Sequence, residues 1–568
     1  MSEAPAIALT AAGVRWEAEP ELAERLAAGR FSIVKDAPHC AVYRVVAPGL
    51  DAHVKHYRPA GARSRARALV RGGKARSEAE RARQVAARGV PTPKLLAIGE
   101  GPVGSFLVTR TLDGGRNLIA FLEAELPAFP APRRARVRQA LAAALGRFLA
   151  RMHAAGVVHA DLHPGNLLLR LGPGDAPELF LIDLFAVRLG PPLDWPRSRD
   201  NLVVLNRWFA LRSSRSDRRR FWRAYWEARA RPCGSRRNER DAARGVERRT
   251  LISNLRFWRE RDGRCLGGNR WYRRVRSAVA SGHAVADLDP AVLAPLLADP
   301  DEPFRRPGIV FLKDSPSSTV IEFDLPVGGA PRRVIYKRFA VTRWTDPWAA
   351  LFRPPPALRS YVMGHGLRLR GLPTPRPLGV WHRTRFGLLY EGYLLTEKAP
   401  GAVQLPAYVA GLARLPAAER RAALRRLIDQ AARLLAALHE RRLSQRDLKG
   451  ANLLVNAVPW FVAARGATER QPPPDSRSPA EPQIWFIDLV GVRVHARLSR
   501  ARRAQNLARL YASFHGRGLL TRTDLLRFLL AYLTGGRHGG DWKAWLRETA
   551  RAFRAKLRRN RRNGRPLS

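Results

Sequence analysis

Two stretches of the chain space apolar residues three and four apart: Val137, Leu141, Leu145, Phe148, Leu149 and Met152, and again Leu424, Leu427, Ile428, Leu434, Leu435 and Leu438. That period puts each set on one face, so both stretches predict core-facing helices. Upstream of each, the apolar runs are shorter. YRVVAPGLDAHVKHY around Lys55 and VIEFDLPVGGAPRRVIYKRF around Lys337 each predict two strands joined by a turn containing Pro and Gly. Strands precede a long helix twice, in the same order.

The order is an internal repeat. RGVPTPKLLAIG at Gly89 returns as RGLPTPRPLGV at Gly371, 282 positions later, and Lys55 returns as Lys337 at the same offset. Lys35 with Asp36 matches Lys313 with Asp314. HADLHPGNLLL at Asp161 matches QRDLKGANLLV at Asp447, 286 on, and LIDLFAVRL at Asp183 matches FIDLVGVRV at Asp488, 305 on. Beyond these, Asn201, Arg220, Phe221, Ala224 and Tyr225 are echoed by Asn506, Arg527, Phe528, Ala531 and Tyr532. The repeat predicts two copies of one domain, 1–285 and 286–568. The widening offset places a disordered insertion at about 457–482, rich in Pro, Arg and Ala. RPCGSRRNERDAARG, from Arg231, reads as a loop in the first copy, and the aromatic-rich stretch after it as the close of that copy.

Composition changes this picture in two ways. With 568 residues and 46% hydrophobic side chains, the chain can bury two cores, which excludes disorder as its main state. The 101 Lys and Arg against 48 Asp and Glu give a net charge of +53, pointing to nucleic acid, an anionic membrane surface or a phosphorylated substrate. However, 91 of those residues are Arg and 10 are Lys, the mark of a GC-rich coding bias, which weakens the case for nucleic acid. It also makes the retained lysines informative, because Lys and Arg are not interchangeable where a compact ammonium is needed. Cys40, Cys233 and Cys265 have no metal-ligand spacing. The N-terminus does not read as a secretory signal, and no run of eighteen apolar residues occurs. These features predict a cytoplasmic protein that meets a membrane only from its side.

After each long helix come an Asp, an Asn five residues on, and a strand ending in a second Asp: Asp161, Asn166 and Asp183, then Asp447, Asn452 and Asp488. Phosphoryl transfer from ATP uses such a set. One carboxylate orients and deprotonates the attacking hydroxyl, an amide oxygen and a second carboxylate hold Mg2+, and a strand Lys neutralises the phosphates. Lys55 and Lys337 supply that Lys, and Glu78, eleven residues before Gly89, is its expected partner, with Glu80 second. The matching position in the second copy is Ser360, and no acidic residue lies between Asp346 and Glu391.

On these motifs each copy resembles the protein-kinase-like fold and, in detail, the bacterial lipopolysaccharide kinases of the Kdo and heptose kinase family. The resemblance rests on KDAPHCAV and KDSPSSTV, on the strand lysines, on GVPTP and GLPTP, on DLHPGN and DLKGAN, and on Asp183 with Arg188 and Asp488 with Arg493. It implies an α+β fold of two tandem kinase-like domains, each with a small β-rich N-lobe and a helical C-lobe. It also implies ATP and Mg2+ as cofactors, a sugar hydroxyl of an anionic glycolipid as acceptor, and a location at the inner membrane. No GxGxxG precedes either Lys, so Asp36 to Cys40 and Ser315 to Thr319 are expected to cover the phosphates.

Three other readings stand beside this one. Phosphorylation of protein or of a small metabolite is one, since HADLHPGN also resembles aminoglycoside phosphotransferases and the kinase-like proteins of ubiquinone synthesis. The missing Glu makes a regulatory pseudokinase of the second copy an alternative, and nucleic-acid binding is a weaker third. Taken singly, an Asp or Asn in a loop is usually a turn or cap residue. His153 and His439, on apolar faces, read as core histidines. The Trp- and Arg-rich segments WFALR, FWRAYW and FWRERD read as helical core faces with a solvated cationic back rather than base-stacking platforms.

Overall fold

The strand-rich stretch of each copy folds into a seven-stranded antiparallel sheet. The protein is described by a computed structural model covering residues 7–11, 14–18, 20–37, 39–58, 73–229, 236–386, 388–456, 482–535 and 541–564. The chain divides into two compact units, Met1–Asn254 and Leu255–Ser568.

In the first unit Cys40–Ala47 and Leu50–Tyr57 form the hairpin expected around Lys55, closed by Gly49 at φ 71°. In the second, Ser318–Val327 and Ala330–Phe339 do the same around Lys337. There the two turn residues, Gly328 and Gly329, both have positive φ, a conformation that closes a two-residue hairpin and that β-branched residues avoid. Alternate residues of each hairpin, among them Val45, Ala52 and Val54 or Ile321, Phe323, Val334 and Tyr336, enter the core of that lobe.

Both sheets have one strand order: first hairpin, then the sixth and seventh strands, then the fifth, which carries the Lys, the fourth and the third at the edge. This corrects the predicted boundary at 285. Tyr272–Arg276 and Ala280–Val285 are the first hairpin of the second sheet, where Ala284 pairs with Gly379 and Ala280 with Arg383. Ala280, Ala284 and Val285 are buried with Leu378 and Trp381, so this hairpin covers the core of the second unit. It is the counterpart of Ile7–Ala11 and Val14–Ala18. The stretch from Arg231 is corrected too: from Arg236 it is helix, Arg236–Arg261, and the division between units falls within that helix. The expected insertion, at about 457–482, lies outside the described residues up to 481.

The helical lobes follow the sequence reading. Ala131–Ala154 buries all six of its predicted positions, and Ala417–Glu440 buries Leu427, Ile428, Leu435 and Leu438. Trp222, Tyr225 and Trp258 are buried, as core aromatics are. After each long helix a short strand, Val157–His159 or Leu443–Gln445, pairs with Val187–Leu189 or Val492–Val494. Between the paired strands the chain makes the loop that carries the Asp and Asn.

Candidate active site

In the first unit Lys55 points from its strand to the Lys74–Ala87 helix. Its Nζ donates to both carboxylate oxygens of Glu78, each at 3.0 Å, and to Asp183 Oδ1 at 2.6 Å. Glu78 is 3% exposed and is held from two more sides: Leu184 N–H donates to it at 2.9 Å, and so does the Tyr57 hydroxyl. Burial works against the charge on Lys55, but Glu78 and Asp183 outweigh it and raise its pKa. For Asp183 burial likewise opposes the charge, and the ammonium of Lys55 overcomes it and lowers the pKa. Burial, helped by Glu78, pushes the Tyr57 hydroxyl far up, so Tyr57 stays a donor. Asp183 takes the left-handed conformation (φ 58°), which turns its carboxylate back toward Lys55; Asp488 does the same at φ 54°.

The Asp161 loop is tied to Asp183 by backbone and by one histidine. Ile182 N–H donates to the Asn166 carbonyl at 3.0 Å, and the Asn166 side-chain N–H donates to the Asp161 carbonyl at 2.8 Å. His159, fully buried, accepts from Asp161 N–H on Nδ1 and donates from Nε2 to the Asp183 carbonyl. Burial lowers its pKa, in keeping with the neutral ring this bridge requires. Asp161 itself projects outward, 76% exposed, with His163 Nε2 at 3.7 Å. Behind the loop, Asn201 donates to the His159 carbonyl, His153 Nε2 donates to Asn201, and the Tyr225 hydroxyl donates to His153 Nδ1.

The second unit repeats this frame with changes. Lys337 donates to Asp488 Oδ1 at 3.0 Å. Asn452 donates to the Asp447 carbonyl at 2.8 Å, and Ile487 N–H donates to the Asn452 carbonyl at 3.0 Å. Gln445 stands in for His159 and donates to the Asp488 carbonyl, and His439 repeats the links to Asn506 and Tyr532. Lys449 lies 3.4 Å from Asp447. Ser360, at the place of Glu78, turns its hydroxyl onto the Pro356 carbonyl of its own helix, so Lys337 has no carboxylate from that helix.

All nine predicted site residues thus fall into two groups, Lys55, Glu78, Asp161, Asn166 and Asp183 in one unit and Lys337, Asp447, Asn452 and Asp488 in the other. Glu80 bonds Gln84 instead of Lys55. The covering loop of the second unit differs from expectation: Thr319 donates to Asp314, and Ser318 receives Lys313, so their side chains brace their own turn. Sequence reasoning missed the bridge through His159 and Gln445, the Tyr57 donor, and the joining of His153, Asn201 and Tyr225. The signal was present, because all three members of that last network recur in the repeat.

The donor chemistry suits a hard divalent cation such as Mg2+. Asn166 and Asp183 are oxygen donors, and the amide nitrogen of Asn166 is already committed to the Asp161 carbonyl, which leaves Oδ1 to face a ligand. Two cavities of about 490 and 340 Å3 lie elsewhere, one in each helical lobe, lined at matched positions by Leu141 and Leu427, Leu205 and Leu510, and Phe221 and Phe528. None of the nine residues lines them.

The model of the lipopolysaccharide kinase (Kdo/WaaP) family matches residues 49–225 and again 348–532, once in each unit. Among solved structures, WaaP in complex with acyl carrier protein is 25% identical over 40% of this chain and 90% of that one, at a TM-score of 0.31. The kinase domain of maize SIRK1, a sucrose-induced receptor kinase, bound to AMP-PNP, is 14% identical over 40% and 95%, at 0.25. No curated protein matches.

Proposed function

This chain belongs to the lipopolysaccharide kinase (Kdo/WaaP) family and is an ATP-dependent kinase, and from that premise we propose that it phosphorylates a sugar hydroxyl of lipopolysaccharide or a related lipid-linked glycan. The observation that carries this reading is the convergence of Lys55, Glu78 and Asp183 beside Asp161, from four segments spread over 128 residues.

Each residue has a task that its surroundings allow. Glu78, fixed by Tyr57 and Leu184, holds the Lys55 ammonium where it meets the non-transferred phosphates. Asp161, exposed and anchored through its backbone by His159 and Asn166, accepts the proton of the acceptor hydroxyl. Asn166 and Asp183 would hold Mg2+, which neutralises phosphate charge when bound. In the second unit Lys337, Asp447, Asn452 and Asp488 take the same tasks, without the clamp that Glu78 provides. We therefore assign the first unit the larger share of turnover and the second a reduced or regulatory share.

We place the protein in the cytoplasm, bound peripherally to the inner membrane where a glycolipid acceptor is presented. No helix among the described residues is long and apolar enough to cross a membrane. A nucleic-acid partner has no support in this reading. The test is ATP turnover on lipopolysaccharide fractions and on generic protein acceptors by Asp161→Ala and Asp447→Ala, made singly. Loss of most turnover in Asp161→Ala, on the glycolipid acceptor only, is the expected result. Unchanged turnover in both variants would overturn the catalytic assignment.

A further inference from the structure

The Pro356–Leu369 helix of the second unit carries a cation, Arg359, next to the serine that replaces Glu78. This helix packs on the Leu489–Gly491 turn, so closely that a Cβ on Gly364 would lie 3.6 Å from the Leu489 side chain. The turn leads into the strand that carries Arg493, which pairs with Ser444. Two residues past Ser444 comes Arg446, whose N–H donates to the Gly491 carbonyl at 2.8 Å. Helix, loop and strand therefore place three arginines on adjoining elements.

Among the described residues none of Arg359, Arg446 and Arg493 makes a side-chain ion pair. Arg359 is partly buried, and its Nε is shielded from solvent without a hydrogen-bond acceptor. Burial first, then the charges of Arg446, Arg353 and Arg493, hold its pKa below the ordinary guanidinium value. A partly buried, unpaired guanidinium among like charges is unfavourable, and an anion that completes the set relieves it.

The repeat provides an internal control. At the matching offsets the first unit has Ser77, Ala160 and Arg188, so two of the three cations are missing. The fold does not require them. They occur in the unit that lost the carboxylate on this helix, where the Lys–Glu pair no longer ties the helix to the rest of the lobe.

We propose that the second unit binds a phosphate group between Arg359, Arg446 and Arg493, and that this anion fixes the Pro356–Leu369 helix in place of the missing ion pair. Three guanidinium forks match the several oxygens and double charge of a phosphate better than the single charge of a carboxylate. The anion site stands on its own geometry, and its effect on activity rests on the kinase reading.

The test uses the full chain without nucleotide and follows amide hydrogen exchange across 356–369. Three probes are added: inorganic phosphate, lipopolysaccharide core oligosaccharide, and the same oligosaccharide after phosphatase treatment. Protection of the helix by about tenfold or more is expected, which corresponds to ~1.4 kcal/mol. Arg359→Ser with Arg446→Ala, which installs the side chains of the first unit, abolishes it. Arg332→Ala with Arg420→Ala, an equal loss of exposed charge elsewhere, retains it. Protection by inorganic phosphate identifies a free-anion site. Protection by the untreated oligosaccharide alone identifies the acceptor's own phosphate as the ligand. Protection by no probe, or equal protection in the Arg359 and Arg446 variant, overturns the proposal. Arg359→Lys, which keeps the charge but not the fork, guards against misfolding and gives intermediate protection. Asp447→Ala keeps full protection, so failure of the catalytic assignment is read separately.

Discussion

At the scale of single residues, the two units differ most in what surrounds the strand lysine. Lys55 shares its charge with two carboxylates, one of them buried, whereas Lys337 meets Asp488 alone. Glu78→Gln keeps the volume and removes the charge. In an Asp447→Ala background, kcat/KM for ATP should fall by at least about tenfold, ~1.4 kcal/mol of transition-state stabilisation. Ser360→Ala, which breaks only a bond within its helix, should leave turnover almost unchanged. His153 sets a second expectation. Burial holds its pKa at about 4, below the ordinary 6.5, so the folded ring stays neutral while the unfolded ring takes up a proton. A histidine with a depressed folded pKa contributes its full stability above pH 6.5 and loses it as pH falls toward 4, by roughly 3 kcal/mol. Melting temperature measured across that window should decline with acid, and His153→Gln should flatten its share of the decline while lowering stability at neutral pH.

At the scale of elements, one short helix in the second unit is out of keeping with a solvated surface. Asp346–Phe352 and the residue pair before it leave Trp344, Trp348, Leu351 and Phe352 exposed, Trp344 by 83% and Phe352 by 89%. Within the helix Trp348, Leu351 and Phe352 lie on one side, Trp344 stands just before it, and Arg343 and Arg353 flank the segment. Aromatic residues bordered by Arg suit the interface of an anionic bilayer, where the rings enter and the guanidinium groups meet the headgroups. The equivalent linker of the first copy, 58–73, has five arginines and no aromatic residue. Sedimentation with phosphatidylcholine vesicles, with and without phosphatidylglycerol, should show binding that requires the anionic lipid. Trp348→Ser with Phe352→Ser should weaken it by more than about tenfold, since each buried ring is worth ~1.5–3 kcal/mol. Unaltered binding would leave this helix without a membrane role.

At the scale of the whole molecule, the corrected boundary has a direct consequence. A fragment covering 255–568 contains all seven strands of the second sheet, whereas 286–568 lacks the hairpin that covers Leu378 and Trp381. The longer fragment should melt cooperatively. The shorter should be protease-sensitive and bind hydrophobic dye, because it exposes the core under the missing hairpin. Equal folding of both fragments would place the boundary back at 285. Having two units also makes the division of labour measurable, since Asp161→Ala and Asp447→Ala each silence one proposed site and leave the other whole.

The sequence by itself determined the repeat, the two-lobed α+β class, the hairpins and the long helices, and it marked the nine residues proposed for the site. These depend on local period and on spacing along the chain, both of which a linear pattern records. Only the tertiary structure decided which unit owns residues 272–285, because strand pairing joins Ala284 to Gly379 on the strength of hydrogen bonding and shared burial. It also decided that His159 bridges Asp161 to Asp183, that Tyr57 braces Glu78, and that the helix carrying Arg359 packs on the turn before Arg493. Each of these joins residues distant in the chain whose side chains must satisfy charge and hydrogen bonding together. The pattern of apolar positions says which residues leave water, and the folded chain alone says what they meet there.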